Sequence, residues 1–352
     1  MPRALAGPLV LLPLLLACGG EPPDDDEWSR ARRAFDAFDR QHSSVHAGGR
    51  VPLHYLDWRA DPRDVVPLLY LHGTYSTAHE FAPFADALVD AGYAPVAVDW
   101  YGHGRTPLPS DDVTLDALVE DLCGLLDALG IERTVLVGHS RGGMIATALY
   151  AHAPERVLGL VLVDGGSVSM ERFFAGWSDE QLEAFLMGAV DPETRRFRVP
   201  SHASERELFD AVAGRLGRPA DPVEMFWLLA QAHRRGDGRW VRTRRSTLRW
   251  LDQETFEGAW RGMRRPAESP PFLAACTRLD PRAVFAALDV PVLILDAVGD
   301  GLDWTPQNLA LVADHPDLVE RRAYDTGHVL FREEPARYVE DLIAFRARVA
   351  ER

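Results

Sequence analysis

Val135-Leu136-Val137-Gly138-His139-Ser140-Arg141-Gly142-Gly143 places a serine among glycines at the end of a short β-branched run. Met144-Ile145-Ala146-Thr147-Ala148-Leu149 follows and reads as helix. Strand, tight turn and helix in that order make a nucleophile elbow. Such a turn holds its serine in a strained backbone conformation, so small residues must flank it. The helix that follows aims its N-terminal N–H groups at the place where an oxyanion would form. Ser140 is therefore the candidate nucleophile.

A serine needs a base within hydrogen-bond reach and an acid to orient that base. In an open parallel sheet both partners belong just after strands, because ligands bind at the carboxyl ends. Tyr324-Asp325-Thr326-Gly327-His328 follows the last strand-like run and precedes the last helix, which makes His328 the candidate base. The run Val292-Leu293-Ile294-Leu295 is followed by Asp296, Asp300 and Asp303, and Asp164 ends the strand after the elbow. Any of these four could orient a histidine; with Asp300 the chain order is serine, acid, histidine. Two backbone N–H donors must also face the oxyanion. One is expected from Arg141, after the nucleophile. The other is expected from Thr74, in Leu71-His72-Gly73-Thr74, where Gly73 permits close approach and His72 is a structural residue.

To converge, these residues need a scaffold of alternating strands and helices. Val51 to Trp58 alternates and suits an outer antiparallel strand. Val65 to Leu71 is continuously apolar, as a strand buried on both faces requires. Phe81–Ala91 and Leu115–Leu129 read as helices, and Ala94–Val98 and Val157–Val163 as strands. Near the end come a strand at Val290–Leu295, a helix near Pro306–Ala313, a strand near Leu318–Ala323 and a helix over Pro335–Val349. Such repetition implies a parallel sheet covered on both faces by right-handed crossovers. Residues 166–279 interrupt it without clear strand runs, and are rich in Trp, Phe and Arg. A long insertion with amphipathic stretches reads as a helical cap.

The chain has 352 residues, enough to bury about three quarters of its extended surface. Its formal net charge is −15, and all 38 basic residues are arginine. This balance argues against a general nucleic-acid binder, since duplex binding neutralises phosphates. Seven arginines between Arg234 and Arg249 (234, 235, 239, 242, 244, 245 and 249) form a local basic patch. A solvated cap face with local ion pairs explains it, and contact with anionic headgroups or an acidic substrate is the sharper alternative. Cys123 and Cys276 read as small buried hydrophobes, and a disulfide between them is left open. No phosphate loop, zinc spacing or dinucleotide fingerprint occurs, so no metal and no cofactor is expected.

The N-terminus has Arg3, an apolar run from Ala4 to Ala17, and Leu15-Leu16-Ala17-Cys18. This layout is that of a signal peptide, and its end resembles the lipobox of bacterial lipoproteins. The resemblance implies cleavage before Cys18 and acylation there, with Gly19–Glu27 as a solvated tether. It implies export to the cell envelope with a lipid anchor in the membrane, and Gly19 favours the outer membrane in a diderm host.

Over residues 45 to 165 and 280 to 350 the chain resembles the α/β-hydrolase superfamily, of the type with a helical cap. The resemblance rests on His72-Gly73, the stretch from Asp99 to Thr106 (Asp-Trp-Tyr-Gly-His-Gly-Arg-Thr), the Gly138–Gly142 elbow, Asp300 and Gly327-His328. It implies a mostly parallel central sheet flanked by helices, and a triad of Ser140, His328 and Asp300. In the family Asp99 and His103 would shape the rim. Relatives often carry Gly-x-x-Asp at the acid turn, where this chain has Ala297-Val298-Gly299-Asp300. A serine at the elbow disfavours the dehalogenase and epoxide hydrolase branches, which use aspartate. The expected organisation is a signal peptide over 1–17, a lipidated tether and N-terminal segment over 18–44, a core over 45–165 and 280–352, and a cap over 166–279. The expected activity is hydrolysis of a small carboxylic ester. A lactonase, C–C hydrolase, aminopeptidase or cofactor-free haloperoxidase would use the same groups. A silent envelope binding protein is the alternative from another class.

Overall fold

A computed structural model describes residues 26–59, 65–110, 112–214, 221–299 and 301–350. The signal segment, Cys18 and Asp300 lie outside the described residues. Before the cap come strands β1 (Ser43–His46), β2 (Leu53–Asp57), β3 (Val66–Leu71), β4 (Tyr93–Val98), β5 (Thr134–His139) and β6 (Val157–Val163). The cap contributes β7 (Ser201–His202), β8 (His233–Arg234) and β9 (Trp240–Val241), and the chain returns through β10 (Val292–Ala297) and β11 (Val319–Tyr324). The main sheet has the order β1-β2-β4-β3-β5-β6-β10-β11. β2 runs antiparallel to β1 and β4, and the pairs from β4 to β11 are parallel. The sheet is thus that of the α/β-hydrolase fold, as the alternation of elements implies.

Its central strands are largely apolar because helices cover both faces. On one face Leu69, Leu71, Leu136, Leu160, Leu162 and Ile294 join a core with α3 (Leu115–Ala128) and α4 (Arg141–His152). On the other Leu68, Tyr70, Val135, Val137, Val161 and Leu295 form a second core. Alternate residues of one strand feed the two cores, as the two-residue period dictates. Each fully buried side chain contributes about 2 kcal/mol of transfer free energy. Helices α1 (Glu27–His42) and α2 (Ala82–Asp90) precede α3 in the chain.

The cap holds α5 (Met170–Ala175), α6 (Asp179–Met187), α7 (Glu205–Ala213), α8 (Pro222–Leu228), α9 (Arg245–Trp250), α10 (Phe256–Arg264) and α11 (Pro271–Arg278). It is not wholly helical, because β7, β9 and β8 form a small antiparallel sheet. Two-residue strands have no hydrophobic period, so nothing in the sequence announces them. The cap arginines find local partners, which supports the solvated-face explanation of the basic patch. Arg245 and Arg249 converge on Glu254, Arg235 pairs with Asp237, and Arg239 donates to Ser201. Cys123 and Cys276 are both free thiols. After the cap, α12 (Pro281–Val284), α13 (Thr305–Asp314), α14 (Leu330–Glu333) and α15 (Pro335–Ala350) complete the chain.

Candidate active site

Ser140 sits between β5 and α4 with φ 54° and ψ −118°, a left-handed conformation held by its surroundings. Its amide donates to Val163 O at 2.8 Å, which fixes the turn to the end of β6. The glycines explain how the turn fits. A Cβ on Gly142 would lie 1.9 Å from Leu71 O, and one on Gly165 would lie 2.6 Å from Ser140 Cα. A Cβ on Gly73 would reach Ser140 Cβ at 3.3 Å, so the loop after β3 lies directly against the nucleophile. Among the described residues neither the Thr74 nor the Arg141 amide has an acceptor.

His328 follows β11 and its side chain is 41% exposed. Its Nδ1 faces Asp164 Oδ2 at 2.5 Å, and the Asp164 side chain is fully buried. Asp164 directly follows β6, whose last residue pairs with His139 beside the nucleophile. The other Asp164 oxygen accepts from the Ala297 amide at 3.3 Å. Among the described residues the carboxylate that meets His328 is Asp164, and the expected Asp300 lies outside them. Asp296 is not available: it is buried and its Oδ2 accepts from Arg321 at 2.6 Å. Asp303 accepts from the Thr305 amide at the start of α13, a capping role. The signal that pointed to Asp164 was its place at a strand's carboxyl end.

A second layer of residues went unrecognised in the sequence. His139 donates from Nε2 to the His328 carbonyl at 3.1 Å, and its Nδ1 faces Glu80 Oε1 at 3.2 Å. Glu80 also accepts from Tyr70, Ser76 and Arg332. Burial would push its carboxyl up, but the charge and hydrogen bond of His139 and the Arg332 guanidinium hold it well below the usual range. This cluster ties the loop of His328 to the residue before Ser140.

The rim is organised by buried Asp99. It accepts from the Ala78 amide at 2.6 Å, from His54 Nδ1 at 2.7 Å and from the Arg105 amide at 3.0 Å. His72 is fully buried and stacks on Trp100, 5.5 Å between ring centroids, so it is structural, as expected. Burial pushes the His72 and His103 imidazoles down. Among the described residues no three potential ligands gather at a metal site.

Two spaces are lined by residues of both core and cap. A cavity of about 60 Å³ is lined by Arg141 and Met144 of α4 and by cap residues including Phe174, Gln253 and Cys276. A pocket of about 340 Å³ is lined by Tyr75, His202, Arg242 and Arg332 among others. Tyr75 connects them: it lines the pocket, and its hydroxyl donates to Gln253 of the cavity at 3.2 Å.

A family model described as the alpha/beta hydrolase fold matches residues 66–335. A 2-hydroxy-6-oxononadienedioate/2-hydroxy-6-oxononatrienedioate hydrolase of Paraburkholderia phymatum is 37% identical over 37% of this chain and 45% of its own. An sn-1-specific diacylglycerol lipase of Mus musculus is 40% identical over 41% of this chain and 44% of its own. The chain thus matches less than half the length of these curated relatives. A solved E-2-(acetamidomethylene)succinate hydrolase superposes with a TM-score of 0.61 at 19% identity, covering 87% of this chain and 98% of that one.

Proposed function

The chain belongs to the α/β-hydrolase fold family, and from that premise we propose that it is a serine hydrolase that cleaves a carboxylic ester. Ser140 Oγ attacks the carbonyl carbon while His328 Nε2 takes its proton. Asp164 holds the imidazole in the required tautomer through Nδ1. The Thr74 and Arg141 amides receive the oxyanion. Collapse expels the alcohol, which takes the proton back from His328, and water then hydrolyses the acyl-enzyme by the same steps. The observation that carries this reading is a histidine bonded to a buried carboxylate beside a strained serine.

Hydrolysis of p-nitrophenyl esters of graded acyl length tests it. Ser140→Ala is expected to lower kcat by roughly 10⁴- to 10⁶-fold. A parent with no turnover and no fluorophosphonate label on Ser140 would refute the reading. Label without ester turnover would redirect the substrate to a lactone, an amide or a C–C bond.

The proposal extends to location: export and lipid anchoring through Cys18, supported by the Leu15–Cys18 sequence. Cys18→Ser is expected to abolish incorporation of labelled palmitate and to move the protein from the membrane pellet to the soluble fraction. Equal partitioning of variant and parent would overturn it.

A further inference from the structure

The arginine after the nucleophile is half-buried, and its Nη1 is sealed from solvent without an acceptor. Among the described residues its guanidinium makes no hydrogen bond or ion pair. Other arginines set into this fold behave differently: Arg321 pairs with Asp296, Arg332 with Glu80 and Arg322 with Asp341. Shielding a guanidinium without an anion is unfavourable, so an isolated one at a cavity wall calls for an external anion.

The wall around it fits that requirement. The cavity of about 60 Å³ has no acidic lining residue. Met144, Met170, Phe174 and Leu273 supply apolar surface, and Gln253 supplies an amide. The ionisable groups that feel Arg141 most are neutral. Burial raises the Tyr75 phenol and pushes the Cys276 thiol up to about 11, with Arg141 opposing both, and burial lowers His103. The space holds about two water molecules at roughly 30 Å³ each, room for a short acyl chain rather than a fatty one.

We infer that this cavity is a carboxylate subsite, and that the preferred substrate is a half-ester whose short acyl chain ends in a free carboxylate bound by Arg141. The amide of Arg141 would stabilise the oxyanion while its guanidinium, by a fork of two N–H donors, reads the far end of the same acyl group. This deepens the serine-hydrolase reading and rests on it for the position of the scissile bond.

Binding to full-length Ser140→Ala separates the two, since it needs no turnover. Monomethyl succinate and dimethyl succinate are the probes, titrated by calorimetry. The anionic monoester is expected to bind roughly 10- to 100-fold tighter than the diester. Ser140→Ala/Arg141→Gln, and independently Ser140→Ala/Arg141→Met, are expected to erase that ratio. Equal affinity for the two probes, or a preference that survives both double variants, would overturn the inference. In the active enzyme the ratio of kcat/KM for p-nitrophenyl hemisuccinate over p-nitrophenyl butyrate is expected to fall by a similar factor in Arg141→Gln. An unchanged ratio would equally overturn it.

Discussion

Both oxygens of Asp164 are engaged, one by His328 and one by the Ala297 amide, and its backbone is left-handed with φ 46°. An amide in its place would keep the shape but remove the negative charge that stabilises the imidazolium. Asp164→Asn is therefore expected to lower kcat on a p-nitrophenyl ester by about 10³- to 10⁴-fold with a small change in KM. Asp300→Asn is expected to cost less. The reverse ordering in a side-by-side kinetic comparison would assign the acid to Asp300. Ser140 and His328 were legible because a glycine-flanked serine and a Gly-His after the last strand are local signals. The acid was not. Four aspartates follow strands, and among the described ones the pairing of β5 with β6 brings Asp164 beside the elbow.

At the scale of elements, the elbow works because three backbone segments pass within van der Waals contact of one another. Gly142 faces Leu71 O and His72 O, and Gly143 faces Gly165 O. Adding a methyl group at Gly142 forces β3 and α4 apart, since the obstruction is backbone and cannot rotate away. Gly142→Ala is expected to destabilise the fold by about 2–3 kcal/mol and to lower activity further than Tm, because Thr74 shifts with the β3 loop. An unchanged melting temperature would show that the contact relaxes without strain. The strands themselves were readable from apolar runs, as both cores demand them. The cap sheet was not, since β7 pairs with β9 across about forty residues of chain and the local β8–β9 pair is too short to show a period.

For the molecule as a whole, α1 joins cap to core. Its Trp28 and Phe35 pack on Phe226 of α8, and Arg32 pairs with Glu205 at the start of α7. At its other end Asp39 accepts from His79 Nε2 at 2.9 Å and from Arg105 at 2.5 Å. Burial would raise the Asp39 carboxyl, but these two partners hold it at about 2. A carboxyl depressed in the folded state stabilises above its unfolded value near 4, and that contribution is lost as pH falls toward 2. The exposed Arg105 partner is screened by solvent, so about 1 kcal/mol is expected. The Tm difference between parent and Asp39→Asn should accordingly shrink as pH drops from 5 to 2; a constant difference would show that the carboxylate adds nothing to docking. The amino-acid sequence by itself determined the alternation of strands and helices, the candidate nucleophile and the candidate base. Each of these is written in neighbouring residues, as a period, a flanking glycine or a turn. The contact of Asp164 with His328, the docking of α1 onto the cap and the isolation of the Arg141 guanidinium were decided only by the tertiary structure. Each depends on which distant segments the sheet order and the cap bring together, and local sequence carries no record of that.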